Sequence, residues 1–517
     1  MKTPFLRAFL VFALAVSVPG GVALAAQHRP VVPTESGVVR GVQSSGVDSF
    51  LGIPYAQPPT SELRWRPPQP AARWSGVRDA SEYGNRCPAL VSGNGPRSES
   101  EDCLYLNVQR PAHTVPGQRL PVLFWIHGGG LQNGSSNQHD GRLIAATGAV
   151  VVSINYRLGV FGFLAHPTLT REAGQSGNYG FLVQQAALRW VHRDIAAFGG
   201  DPDQVTIAGE SAGGFSVCAH LSAPGSQGLF AAAVIQSGSC PSQTLAQGEA
   251  TGAAVAQAVG CADTQCLRSV PAGRLLDAGA NATAMFVRGV PVLPRDPDAA
   301  VHSGHFARVP VLIGANRDEG RTFAKGSVGQ TEDQYVSFVR STFGDHADAV
   351  LARYPWPSNA DQFTPAYLTG AILTDSGLIA GIGGCTNLAL TRTFAKYTPT
   401  YAYEFAHRTG PGLTPDPAGY VWGAGHAAEL AYLFPNFDNG TPISPTFNAG
   451  ERRLSADMVH AWGDFTRTRL PITAGTTPWL AFTPDEQVMS LRADGQSALI
   501  SSTQVAAEHN CDFWASS

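Results

Sequence analysis

The feature that most constrains this chain is a corner. Gly209-Glu210-Ser211-Ala212-Gly213 lies where an apolar stretch, Gln204 to Ala208, gives way to a helical pattern, Ser211 to Leu221. Glycines two residues either side of a serine, between a strand and a helix, are the pattern of a tight turn that lifts a hydroxyl above the end of a sheet. Small neighbours let the backbone bend, and the N-terminus of the following helix favours negative charge beneath the serine. The same five residues could also make a plain turn with a solvent-facing serine. What decides between these is whether the chain supplies partners for the hydroxyl.

A second glycine cluster supplies one. His127-Gly128-Gly129-Gly130 directly follows the apolar run Leu120 to His127. Consecutive glycines let backbone N–H groups approach a reacting carbonyl and stabilise the oxyanion of a tetrahedral intermediate. A phosphate-binding loop is the competing reading, but no Gly-Lys-Ser/Thr follows. A nucleophilic serine also needs a general base, and the base needs a carboxylate. In this strand–corner–helix setting the expected order is nucleophile, acid, histidine. Asp318-Glu319-Gly320, after the apolar run Val309 to Gly314, is well placed to carry the acid. His302, His305, His346, His407, His426, His460 and His509 all lie downstream of Ser211. Spacing favours His426, in a Gly-rich turn, without eliminating the rest, and His460 sits inside a helical pattern.

Short apolar runs alternate with helical patterns along the chain. Ala149 to Tyr156, Ala231 to Gln236 and Tyr401 to Phe405 read as further strands, and Arg452 to Thr466 as a late helix. Asn178 to Phe198 reads as a helix capped by Asn178, ended by Gly199-Gly200 and followed by a turn at Asp201-Pro202. Such alternation argues for a mostly parallel sheet covered on both faces. The Pro- and Gly-rich N-terminal region reads as a small antiparallel sheet.

With 44% hydrophobic and 14% charged residues, the 517-residue chain can bury a large core. Lys2, Arg7, the apolar run Ala8 to Val18, the break at Pro19-Gly20-Gly21 and the small residues Ala23-Leu24-Ala25 have the layout of a secretory signal peptide. The run is shorter than the ~20 residues that cross a bilayer. The expected organisation is a signal peptide over 1–25, cleaved near Ala25 or Ala26, and one domain over 26–517. Loss of Lys2 and Arg7 moves the formal net charge from -4 to -6, a mild balance that gives no reason to expect nucleic acid as a partner. Eight cysteines in an exported chain permit disulfides, and no Cys-x-x-Cys pair suggests a metal site.

The ordered motifs resemble those of the type-B carboxylesterases, the family that includes cholinesterases, some fungal lipases and para-nitrobenzyl esterases. The resemblance rests on Phe50 to Pro59, Ser100 to Asn107, His127 to Gly130, Asn178 to Gly180 with Gln185 to Val191, and Phe198 to Pro202. It continues through Gly209 to Gly214, Gln236 to Ser239, Asn316 to Gly320 and Gly425 to Glu429. It implies the α/β-hydrolase fold, with Ser211 as nucleophile, Glu319 as acid and His426 as base. The oxyanion hole would be the N–H groups of Gly129, Gly130 and Ala212, with Glu210 and Ser237 supporting the histidine. It also implies the disulfides Cys87–Cys103, Cys261–Cys266 and Cys385–Cys511. Cys218 and Cys240 remain, as a fourth disulfide or as two buried thiols.

Three departures stand out. The stretch from Cys87 to Cys103 holds no Trp or Tyr, where cholinesterases carry their choline-binding Trp, so quaternary ammonium capture loses its aromatic face. Leu131 stands where those enzymes have Phe. The acid that usually pairs with Arg157 is replaced by Val183, leaving Arg157 to find another acceptor or stay partly solvated, while the Arg64–Glu101 pair is retained. The expectation is a secreted, extracellular or periplasmic serine hydrolase that cleaves small-molecule carboxylic esters. It needs neither cofactor nor metal and has no membrane span, and its oligomeric state is left open. Lipase or amidase activity on the same residues is one alternative. A non-catalytic adhesion protein of this fold, having lost its serine, is the other, and the filled positions 211, 319 and 426 argue against it.

Overall fold

The computed structural model describes Met1 and residues 29–414, 416–438, 442–472 and 479–515. The expected signal peptide falls almost wholly outside the described residues.

An eleven-stranded sheet runs through the molecule. From edge to edge its strands are Ala498–Ser501, Gln487–Leu491, Thr400–Phe405, Val311–Asn316, Ala232–Gln236, Gly200–Glu210, Leu120–Ile126, Val150–Ile154, Tyr105–Pro111, Val47–Pro54 and Val42–Ser44. The block from Gln487–Leu491 to Val150–Ile154 is parallel throughout, and antiparallel strands flank it on both sides. Val31–Thr34, Gly37–Arg40 and Val77–Asp79 form a separate small sheet, its first pair antiparallel and its second parallel.

The strand Leu120–Ile126 shows why the sheet is covered on both faces. Val122, Phe124 and Ile126 point into one core with the helices Tyr179–Asp194 and Ala212–Ser222. Leu123 and Trp125 point into another, with Trp462 and Phe465 of the helix Ala449–Thr468. Alternate side chains of a strand face opposite ways, so a run apolar at every position needs a helix on each side. Fully burying one such side chain is worth roughly 1.5–3 kcal/mol.

Two local readings are corrected. Asn178 does not cap the helix Tyr179–Asp194 through its side chain. Its amide instead donates to Val287 O at 2.7 Å and accepts from Val287 N at 2.9 Å, a tertiary tie that outcompetes the local cap. Asp201-Pro202 does not lie between elements but inside the strand Gly200–Glu210, where the register against Leu120–Ile126 shifts. The turn chemistry is present, with Asp201 accepting from Asp203 N at 3.0 Å, but the chain spends it on a bulge.

Cys87–Cys103, Cys261–Cys266, Cys385–Cys511 and Cys218–Cys240 are disulfides, and no described cysteine is free. Cys218–Cys240 joins the helix behind Ser211 to the segment after the strand Ala232–Gln236, and each bond contributes about 2–4 kcal/mol. No helix among the described residues is long and apolar enough to cross a membrane.

Candidate active site

The chain leaves Leu120–Ile126 toward Val150–Ile154 on one side, while Gly200–Glu210 lies on the other. Loops leaving the C-terminal ends of strands at such a switch point diverge and open a crevice. Here Ile126 lies opposite Gly209, so the glycine loop and the corner begin in contact. A Cβ on Gly128 would come within 2.7 Å of Glu210 Oε2, and one on Gly213 would sit 2.0 Å from Ile126 O.

Ser211 has φ 56° and ψ -123°, a backbone that side-chain-bearing residues rarely adopt. Its N–H donates to Gln236 O and its carbonyl accepts from Phe215 N, each at 2.9 Å. The neighbouring strand and the first helical turn thereby hold the strained corner in place. Ser211 lines a cavity of about 620 Å³ together with Gly128, Gly129, Gly130, Glu210 and His426. Gly129 and Gly130 have φ of 101° and 64°, and Ala212 opens the helix Ala212–Ser222. Among the described residues none of these three N–H groups has an acceptor, which leaves them free for an oxyanion.

The strand Val311–Asn316 delivers the acidic pair, and its two members divide the work. Asn316 N donates to Glu319 Oε1 at 2.7 Å, and His426 Nδ1 donates to Glu319 Oε2 at 2.6 Å. Asp318 faces the other way, accepting from Arg408 at 2.8 and 2.7 Å and from Ala424 N at 3.0 Å. Asp318 N donates to Ala424 O at 2.9 Å and His426 N to Glu319 O at 3.3 Å, zipping the acid loop to the histidine loop.

The other nitrogen of His426, Nε2, lies 3.1 Å from Glu210 Oε1. No hydrogen bond joins it to Ser211 Oγ among the described residues. The fold thus brings Ser211, His426 and Glu210 to one cavity with Glu319 bonded to the imidazole, while the imidazole's other nitrogen faces Glu210. Ser237, at the end of Ala232–Gln236, makes no such contact, and its Oγ is buried without a hydrogen bond.

Burial lowers the pKa of His426, but Glu210 and Glu319 more than offset it and raise it to about 9. Burial raises Glu210 to about 8, against the pull of His426. The two groups compete for one proton, since His426 draws its upward push from a charged Glu210 and burial works to neutralise Glu210.

A buried layer beneath the site had gone unassigned in the sequence. Glu429 accepts from Gln236 Nε2 at 3.1 Å and Asn316 Nδ2 at 2.6 Å, and Trp462 Nε1 donates to Gln236 Oε1 at 2.8 Å. Glu429 and Asn316 lie inside two of the quoted motifs, which was the only signal available. Farther off, Arg64 pairs with Glu101, Nε to Oε2 at 2.8 Å. Arg157 is buried, donates to Arg66 O at 2.8 Å, and leaves Nε and Nη1 without acceptors.

The model of the carboxylesterase family matches residues 28–514. Fumonisin B1 esterase of Sphingopyxis macrogoltabida is 36% identical over 484 residues, covering 88% of this chain and 85% of the relative. Para-nitrobenzyl esterase of Bacillus subtilis (strain 168) is 36% identical over 475 residues, covering 87% and 92%. A solved para-nitrobenzyl esterase structure superposes with a TM-score of 0.75 at 32% identity, covering 93% of this chain and 99% of the other.

Proposed function

The chain belongs to the carboxylesterase family and is a carboxylic ester hydrolase of α/β-hydrolase fold, and from that premise we propose that Ser211, His426 and Glu319 carry out the reaction. The observation that carries the assignment is the strained Ser211 beside the buried His426–Glu319 hydrogen bond of 2.6 Å on one cavity.

Ser211 Oγ attacks the ester carbonyl while His426 Nε2 takes its proton. Substrate entry must therefore turn Nε2 from Glu210 toward Oγ, and apo geometry often tightens only in the complex. Negative charge builds on the carbonyl oxygen, where the N–H groups of Gly129, Gly130 and Ala212 receive it. Glu319 keeps the proton on Nδ1 and stabilises the imidazolium. The carbon–oxygen bond to the alcohol breaks, and the alcohol leaves with the proton from Nε2. Water, deprotonated by His426, then attacks the acyl-Ser211 ester and releases the acid.

Export is part of the proposal. The basic start, apolar run and small residues ahead of position 26 support a cleaved leader, and four disulfides suit an oxidising compartment. The primary test is hydrolysis of p-nitrophenyl butyrate by the mature protein beside Ser211→Ala. Loss of about 10⁴-fold or more in kcat is expected. A variant that keeps its rate would require a different nucleophile.

A further inference from the structure

We propose that the catalytic cavity prefers esters bearing a second, ionised carboxyl group, received by the Lys325 ammonium and the Trp422 indole N–H. The proposal rests on the ester-hydrolase reading above and concerns the part of the substrate away from the scissile bond.

Lys325 and Trp422 both line the cavity that holds Ser211. Among the described residues Lys325 is the cavity's one lysine or arginine, and Glu210 its one carboxyl. Both cavity donors are carried by the loops that position the catalytic groups. Lys325 directly follows the helix Gly320–Ala324, which begins at the residue after Glu319, and Trp422 lies on the loop leading to His426. Their placement relative to Ser211 is thus fixed by the same zipper that joins Asp318 to Ala424.

Neither group is spoken for. Lys325 Nζ sits 5.9 Å from the Trp422 ring centroid. The acid on its own loop, Asp318, is taken by Arg408 at 2.7 Å and Arg321 at 3.6 Å. No carboxylate is within ion-pair reach of Nζ, and no acceptor meets the Trp422 N–H, among the described residues. Trp422 is buried but for its edge, at 6% exposure, so it gives the ammonium an apolar wall where water would otherwise stand. Lys325 itself is exposed at the rim, so the ring shields one side of the ammonium and leaves the other open to a ligand. An ammonium backed by an aromatic ring, on a cavity whose other polar lining includes neutral Asn94, Gln132, Thr283 and Thr414, has no anion of the protein's own to pair with. A carboxylate offers two oxygens, one for each donor. The helix N-terminus at Ala212 and the free N–H groups of the glycine loop add positive potential to the same cavity.

The test compares matched esters. The 4-nitrobenzyl monoester of glutaric acid is set against the 4-nitrobenzyl ester of glutaramic acid, its neutral isostere. A second pair puts the charge on the alcohol, as the butyrate of 4-(hydroxymethyl)benzoic acid against that of the benzamide. The mature enzyme is expected to favour the anionic member of at least one pair by about fivefold in kcat/KM, mostly through KM, with the preference falling as salt is raised. Lys325→Met should bring that ratio to about one, and Lys325→Arg should keep it. A wild-type ratio of one or less in both pairs, or a ratio untouched by Lys325→Met, overturns the proposal. Hydrolysis of the neutral esters that disappears in Ser211→Ala would leave the functional reading standing in that event. Turnover of none of the four esters while p-nitrophenyl butyrate is hydrolysed overturns this proposal alone, and failure on p-nitrophenyl butyrate as well overturns both.

Discussion

Two buried histidines in this molecule are built from the same parts. His426 has Glu319 at 2.6 Å on Nδ1 and Glu210 at 3.1 Å on Nε2. His509 has Asp375 at 2.9 Å on Nδ1 and Glu404 at 3.2 Å on Nε2. In each, burial pushes the imidazole pKa down and the flanking carboxylates push it up further, to about 9 and about 10. Their surroundings differ. His509 is tightly packed on one side, where a Cβ on Gly384 would meet its ring at 2.4 Å, and with Asp375 it borders a cavity of about 200 Å³ lined by Arg317, Arg321 and Arg408 rather than by a strained serine. Asp375 comes from the helix Thr364–Ser376, Glu404 from the strand Thr400–Phe405, and nearby Cys511 is bonded to Cys385. That cluster pins the C-terminal segment to the sheet. His426 has Phe323 against it at 4.8 Å and otherwise faces the cavity and the strained Ser211. An imidazole between two acids is a clamp where it only ties elements together, and becomes available for proton transfer where it shares a cavity with the strained Ser211.

The sharpest way to break that comparison is to remove each ring. His426→Ala is expected to lower kcat by about 10⁴- to 10⁶-fold while the protein stays folded. His509→Ala is expected to cost about 3–5 kcal/mol of stability, because two buried carboxylates lose their counter-charge. Its kcat per folded molecule should stay close to wild type. Chemical denaturation beside active-site titration reads both quantities. A large kcat loss in folded His509→Ala would mean that the C-terminal clamp and the active site are one unit.

Much of this contrast was invisible in the sequence. The corner at Ser211 and the loop at His127 could be read because their chemistry is local, a serine or a glycine run set between a strand and its next element. The sheet could be read because runs such as Leu120 to Ile126 are apolar at every position. The histidines could not be separated, since eight lie downstream of Ser211 and what distinguishes His426 is the closure of two loops distant in sequence. His509 drew no special notice for the same reason, as its partners are 134 and 105 residues away. Asn178 and Asp201 carry genuine local signals, and in both cases a tertiary partner or a sheet register redirected them.

A smaller effect concerns the shared proton. With Glu210 charged, His426 is held up, so the acid limb of the kcat/KM profile, where the base becomes protonated, lies high. Glu210→Gln removes that charge permanently. The pKa of His426 should fall and the acid limb move to lower pH by about one unit. A limb that stays in place would put the resting proton on Glu210 itself, and the two histidine clusters would then differ in charge as well as in packing.

The smallest effect extends the comparison to a buried cation with no carboxylate in direct contact, Glu101 acting on it only from a distance. Arg157 is enclosed, burial lowers its pKa to about 10, and two of its nitrogens lack acceptors. Its guanidinium lies 5.6 Å from the ring of Tyr179, and Val183 is one turn farther along the same helix face. The desolvation cost of the arginine is therefore already present in the fold, and an acid at 183 adds a partner without burying a new cation. Val183→Asp should raise stability by about 1 kcal/mol, seen as a higher midpoint in urea with an unchanged slope. The gain is held down by the cost of burying the new carboxylate beside an arginine that already has Arg66 O. If the midpoint falls instead, the ring of Tyr179 and one carbonyl suffice for Arg157, and a buried cation in this protein needs no acid where a buried imidazolium takes two.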